Sequence, residues 1–233
     1  KYIYIDGDLD VIDAEFPTAP TTPPQSGPIT FTTGQTFLKV PAWTSQQMNK
    51  LEFNFKTVEP TGLILYSGSR QPYKTDFFAI EMYDGVLYAN LDFGDVPLRF
   101  PFPVSNGLLN NGQPHNVKVE YQNRNLILTL DGREMRQYLP EGDGVVDLDS
   151  LASVGAADGQ LPWHLWTKEK SFFKGCIWGL RFNGGNTVDL ESVVRQQRLA
   201  GIEAGCKTMP LECQRGSCSN NAPCLDTWSG FLC

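Results

Sequence analysis

Between Ile29 and Cys206 the chain is a succession of short runs in which apolar and polar residues alternate, separated by turn residues, and almost none of it repeats at the helical period. ITFTTGQTFLKV, KLEFNFKTV, GLILYSG, DFFAIEMYDGVLYANLDF, HNVKVEYQNRNLILTLDG and CIWGLRFNG follow one another in this way. Successive strand side chains point to opposite faces, so each run presents one apolar face, and such faces are buried by stacking sheets. The pattern predicts an all-β protein, an antiparallel sandwich or barrel. LESVVRQQRLAGI is the one stretch that reads as a helix, and a short one.

The run DFFAIEMYDGVLYANLDF, Asp76 to Phe93, is a hairpin around a two-residue Asp84-Gly85 loop. Such a loop suits a type I′ turn, with positive φ at both central residues, and thereby fixes the register. Tyr83 then faces Val86, and at the open end Asp76 faces Phe93. One side of the hairpin carries Asp76, Phe78, Ile80 and Met82 with Leu87, Ala89, Leu91 and Phe93. The other carries Phe77, Ala79, Glu81 and Tyr83 with Val86, Tyr88, Asn90 and Asp92. Asp76 thus ends the more apolar side. A carboxylate there requires a solvated rim, a cation or a hydrogen-bond donor. From the hairpin alone the solvated rim is expected, and Glu81, Asp92 and Asp95 are expected as ordinary exposed acids.

The chain is 233 residues long, room for one full-sized domain and a small module. A net charge of −7, from 26 acidic and 19 basic side chains, argues against nucleic acid or an anionic membrane as the main partner. No apolar run is long enough to span a bilayer, and KYIYIDGDLD lacks the charged and apolar regions of a signal peptide, so the chain reads as a processed or excised piece. Residues 1–27 read as an arm or linker, and the proline- and threonine-rich TAPTTPPQSGP occupies residues 18–28. The six cysteines all lie in the last third, with Cys213, Cys218, Cys224 and Cys233 crowded at the C-terminus. Their even number and clustering point to disulfides and an oxidising, extracytoplasmic setting. Zinc is disfavoured, because no Cys-x-x-Cys occurs and both histidines, His115 and His164, are distant in sequence.

GLILYSG, DFFAIEMYDG, HNVKVEY with LTLDG, and FKGCIWGLRFNG with a closing Cys206, in this order, resemble the laminin G-like domains of the laminin, neurexin and sex-hormone-binding-globulin kind. EPTGLILYSG and DFFAIEMYDG are most similar to an internal repeat of an α-neurexin ectodomain. One departure is Pro114, where the family often has Trp before its His-x-Val strand. The resemblance implies a jelly-roll, concanavalin-like antiparallel β-sandwich over residues 28–206, with Cys176 paired to Cys206. Residues 213–233 resemble the start of an epidermal-growth-factor-like module, which implies bridges Cys213 to Cys224 and Cys218 to Cys233. Spacing alone allows three pairings of those four cysteines.

The resemblance also implies a function: a non-catalytic adhesion or receptor module at the cell surface, such as a synaptic one, with cell-surface or secreted proteins as ligands and glycans as an alternative class. A spacer role within a larger ectodomain is a further alternative. Members of the family often bind one calcium ion at a rim of the sandwich. By position, its ligands here are the Asp76 carboxylate, the Phe93 carbonyl, the Val145 carbonyl and the Asp147 side chain, with Asp149 as a substitute. Few protein ligands and a water-rich shell imply weak binding, with Kd on the order of 10⁻⁴ to 10⁻³ M.

The loop GQLPWHLWTKEKSFF supplies Trp163 and Trp166 as candidate partner contacts, whereas Phe173 is expected to pack against the sandwich. Arg70, Lys74, Lys168 and Lys170 are too sparse, in an acidic chain, to point to sulfated glycans. An enzyme is not expected: Gly-x-Ser-x-Gly, His-Glu-x-x-His and phosphate-cradling glycine loops are all missing from the sequence.

Overall fold

The structure is a computed structural model that describes residues 26–34, 36–43, 48–69, 76–93, 96–104, 107–140, 148–157, 172–207, 213, 217–227 and 230–233. Two antiparallel sheets face each other across one apolar core. In spatial order, the seven strands of the first are β10 (Arg133–Tyr138), β9 (Asn125–Leu130), β8 (His115–Gln122), β3 (Lys50–Lys56), β12 (Gly175–Phe182), β1 (Ile29–Phe31) and β13 (Ile202–Ala204). The six of the second are β2 (Leu38–Pro41), β11 (Leu151–Val154), β4 (Gly62–Gly68), β5 (Phe77–Tyr83), β6 (Val86–Asp92) and β7 (Leu98–Pro101). Near the C-terminus β14 (Leu225–Thr227) and β15 (Gly230–Leu232) form a separate two-stranded ribbon.

Alternation sets which residues fill the core. Leu51, Phe53 and Phe55 of β3, Val117 and Val119 of β8, and Leu126, Leu128 and Leu130 of β9 point inward from the first sheet. They meet Phe78, Ile80, Met82, Leu87, Ala89 and Leu91 from β5 and β6 of the second. This is the more apolar side of the β5–β6 hairpin, in the register its turn dictates: Phe77 faces Asp92 and Tyr83 faces Val86. Asp84 and Gly85 both have positive φ, 50° and 76°. A glycine suits the second of these at no steric cost.

Phe173 is buried, with its ring 6.0 Å from that of Phe31 and 6.5 Å from that of Phe55. It therefore closes one end of the core. Trp43 is fully buried beside Phe182 and donates its indole Nε1–H to Ser67 Oγ at 2.8 Å, which satisfies its single polar group.

Among the described residues the one α-helix, α1 (Leu190–Gln197), buries Leu190 fully and packs Val193 and Val194 partly against the core. Asp189 is its N-cap, accepting from Ser192 N at 3.1 Å and Ser192 Oγ at 2.6 Å. Arg198, in the left-handed conformation, ends it. Gln197 accepts from Lys39 N and donates to Lys39 O, so a side-chain amide covers part of the outer edge of β2.

Cys176 is bonded to Cys206, Cys213 to Cys224 and Cys218 to Cys233. Among the described residues no helix is long and apolar enough to cross a membrane.

Candidate functional site

The open end of the β5–β6 hairpin, opposite its Asp84-Gly85 turn, gathers the chain segments on which the rim reading rests. Asp76 lies immediately before β5 and Phe93 immediately after β6, one step beyond the Phe77–Asp92 pair. On the far side of β5, Ser69 N donates to the Asp76 carbonyl at 2.8 Å. One strand further on, Asp149 N donates to the Gly68 carbonyl, also at 2.8 Å. The end of β4 is thus clasped between the start of β5 and the approach to β11, which brings Asp76, Phe93 and Asp149 to one rim of the second sheet. Val145 and Asp147 lie outside the described residues, as do Trp163, Trp166, Asp95, Arg70, Lys74, Lys168, Lys170 and His164.

Burial corrects one expectation. Asp76 is only 5% exposed, so open solvent does not compensate its carboxylate. Its side chain ends the inward row Phe78–Ile80–Met82, and a carboxylate in that place is stable only with a cation or hydrogen-bond donors close by. Asp149 is differently employed: its Oδ1 accepts from Leu151 N at 3.3 Å and from Ser150 Oγ at 3.2 Å. These local bonds shape the entry to β11. Among the described residues no three histidine, cysteine, aspartate or glutamate side chains come together as a metal cluster.

Phe93 packs its ring inward, 5.2 Å from that of Tyr121 at the end of β8. This contact joins the rim of the second sheet to the first. Burial raises the Tyr121 hydroxyl above the usual phenol range, and the nearby Arg124 charge partly offsets it.

The outward side of the same hairpin brings a second correction. Glu81 is fully buried and Asp92 nearly so, rather than exposed. Glu81 Oε1 accepts from Asn90 Nδ2 at 3.0 Å and from Arg99 Nη2, while Arg99 Nε donates to Asn90 Oδ1 at 2.6 Å. The guanidinium comes from β7, which pairs Arg99 with Asn90. The short run LRFP carries no alternation strong enough to announce a strand, so Glu81's partner was not legible in the sequence. Beside this network Leu63, Phe77 and Ala79 form a small outer apolar cluster, with Tyr66 stacked on Phe77 at 6.3 Å. Burial raises the Tyr66 hydroxyl.

His115 opens β8 and is held on both ring nitrogens: Nδ1 lies 2.8 Å from Asp131 Oδ2 and Nε2 lies 3.1 Å from Asn111 Oδ1. Its ring packs against Phe55 at 5.4 Å. Asp131 Oδ1 also accepts from Asn116 N, so this group locks the start of the β8–β9 hairpin. It presents no nucleophile, and its role is structural.

Two apposed antiparallel sheets and three disulfides toward the C-terminus define a β-sandwich module of the disulfide-bonded, extracytoplasmic class. The laminin G domain profile matches residues 55–185, more than half of the chain, and the chain belongs to the laminin G domain family. It is 28% identical over 223 residues to zebrafish (Danio rerio) neurexin-3a, covering 88% of this chain and 13% of that protein. To neurexin 1 of Drosophila melanogaster it is 29% identical over 243 residues, covering 100% of this chain and again 13% of the relative. The chain therefore spans about an eighth of the length of these relatives.

Among solved structures, the LG4-5 domains of the mouse laminin α1 chain superpose with a TM-score of 0.60 at 22% identity, covering 70% of this chain and 43% of that one. The LG1-3 region of the laminin α2 chain also gives 0.60, at 16% identity, covering 81% and 36%. These likenesses speak for the fold. The family and the three disulfides make this an extracellular module of the laminin G kind.

Proposed function

We propose that this module is a unit of a neurexin-like cell-surface protein that presents its loop rim to protein partners, and that a weakly bound calcium ion orders that rim. The observation that carries the reading is the buried Asp76 carboxylate at the open end of the hairpin, beside Phe93 and one strand removed from the approach to β11. Asp76 and the Phe93 carbonyl supply hard oxygens from the rigid sheet, and the Val145 carbonyl and Asp147 complete the set from the loop before β11. Asp149 is the weaker candidate, since one of its oxygens already serves the local turn. Calcium suits such a donor set because it accepts carboxylates, carbonyls and waters in irregular geometry. When bound it supplies positive charge at an otherwise acidic rim and ties the β11 loop to the hairpin. In the same reading residues 28–206 are the laminin G domain, and residues 213–233 begin an epidermal-growth-factor-like module held by its two bridges. Trp163 and Trp166 are the proposed aromatic contacts for a partner.

Isothermal titration with millimolar calcium tests the role of the metal. A binding heat with Kd on the order of 10⁻⁴ to 10⁻³ M that disappears in Asp76→Ala is expected. An undetectable heat, or one that Asp76→Ala leaves unchanged while the variant stays folded, refutes it. Capture of cell-surface proteins that chelator abolishes would support the role of the rim in partner binding, and capture indifferent to chelator would separate partner binding from calcium.

A further inference from the structure

The outward face of the seven-stranded sheet holds a cleft of about 790 Å³ that none of the family features accounts for. Its floor is one cross-strand row: Lys50 pairs with Glu120, Glu120 with Ile127 and Ile127 with Arg136, across β3, β8, β9 and β10 in register. Two turns rise at its end, Asn123-Arg124 between β8 and β9, and Asn183-Gly184 after β12.

The walls are built rigidly. Asn183 N donates to the Lys50 carbonyl at 2.7 Å, and Asn183 Oδ1 accepts from Asn49 N at 2.8 Å and Lys50 N at 3.1 Å. Asn123 and Arg124 hold the positive φ values, 49° and 68°, of a tight hairpin turn. Tyr121 N donates to the Asn49 carbonyl at 2.9 Å, so both sides of the cleft are tied to one backbone ladder.

The lining chemistry is unusual for the outer face of a sheet. Five carboxamides, those of Asn49, Gln122, Asn123, Asn125 and Asn183, surround a floor whose centre is the half-buried Ile127. Each carboxamide offers a donor and an acceptor side by side. Among the described residues the side-chain amides of Asn49, Gln122 and Asn123 make no hydrogen bond to protein. The cations bordering the cleft are neutralised in place: Lys50 by Glu52 at 2.9 Å, Arg136 by Glu134 at 2.5 Å, and Lys118 by Glu120 at 2.7 Å. Both cations of the lining, Lys50 and Arg136, thus have a carboxylate beside them, and its one anion, Glu120, has Lys118.

We infer that this cleft binds a neutral oligosaccharide. Vicinal hydroxyls donate and accept at adjacent positions, which is the pattern that paired amide groups complement, and Ile127 offers an apolar patch to a sugar's C–H face. The volume falls within the range of small-molecule sites. Cations already held by carboxylates select against sulfated or sialylated chains, which need surplus cations. The site is independent of the calcium reading, although Tyr121 borders the cleft and also packs against Phe93 at the rim.

The test is an array of neutral oligosaccharides carrying hexose, N-acetylhexosamine and fucose units, probed with the whole chain in calcium and in chelator, at low and at physiological salt. Array hits are then titrated by ¹H–¹⁵N NMR that follows the side-chain amides. We expect hits that persist in chelator and change little with salt, with the amides of Gln122 and Asn123 shifting on titration. Gln122→Ala combined with Asn123→Gly, which keeps the left-handed backbone at 123, is expected to weaken binding about tenfold or more without altering the fold. Absence of any neutral hit overturns the inference. So do hits that Asp76→Ala abolishes and the cleft variant does not, or hits confined to acidic glycans in a parallel array.

Discussion

Glu81 allows a sharp test of what holds the hairpin that carries the rim. Its carboxylate is fully buried and serves Asn90 and Arg99 together, and Asn90 is itself buried. Glu81→Ala leaves a guanidinium and an amide without that acceptor. Removing one partner of a buried ion pair costs about 3–5 kcal/mol, because the other charge stays behind. Arg99 has a side-chain exposure of 19% and can turn partly toward water, which places the expected loss near the lower bound, about 3 kcal/mol. For a domain of this size, 1 kcal/mol moves Tm by about 2–4 °C, so a fall of about 6–12 °C is expected. Glu81→Gln keeps an acceptor but loses the charge assistance, and should cost about 1–1.5 kcal/mol.

Urea unfolding of the oxidised protein, with wild type, Glu81→Ala, Arg99→Ala and the double variant, reads the coupling directly. The double variant should cost clearly less than the sum of the singles, because it removes both charges. A Glu81→Ala loss below about 1 kcal/mol, or additive singles, would refute the claim that this network anchors β7 to the hairpin.

Two further predictions concern the helix and the covalent frame. Asp189→Ala should cost about 1 kcal/mol through loss of the N-cap. Ser192's hydrogen bonds hold the Asp189 carboxyl below the usual carboxylate range, so its contribution is present above the unfolded aspartate pKa and is lost as pH falls through the lower folded value. Urea midpoints of wild type and variant should therefore converge in strong acid, and a gap that persists there would contradict the assignment. Replacing Cys176 and Cys206 together by Ser removes a bridge that spans 30 residues and should cost about 3–4 kcal/mol by loop-closure entropy; an unchanged unfolding midpoint would show the bridge to be energetically idle.

What the sequence made legible follows from locality. The β5–β6 register was readable because a two-residue turn leaves no freedom in pairing, and Asp84-Gly85 names that turn chemically. The same alternation predicts one apolar face for each such run, as β3, β8 and β9 show. Sheet order was not readable: β3 lies between β8 and β12, partners distant in the chain that no local signal links. For the same reason the burial of Glu81 was missed, since it depends on a guanidinium delivered by a four-residue strand. Asp76 is the intermediate case. Its place at the hairpin's end was derivable, but its burial depends on tertiary packing that no local signal carries. The cleft left no sequence trace, because its row of residues exists only once four strands are in register.

The points where the chain enters and leaves the sandwich are neighbours. Gly205 N donates to the Pro28 carbonyl, β1 is flanked by β12 and β13, and Thr30 faces Cys176, whose sulfur is bonded to Cys206. Tension applied between residues 28 and 207 therefore meets the disulfide within a few residues and passes to β12, bypassing β13 and α1. What bears the load is β1 through its two short seams, to β12 and to β13, opened from one end, so their hydrogen bonds would break in turn rather than together. Such an arrangement is a mechanical fuse: the first strand can peel while the bridged remainder keeps its shape.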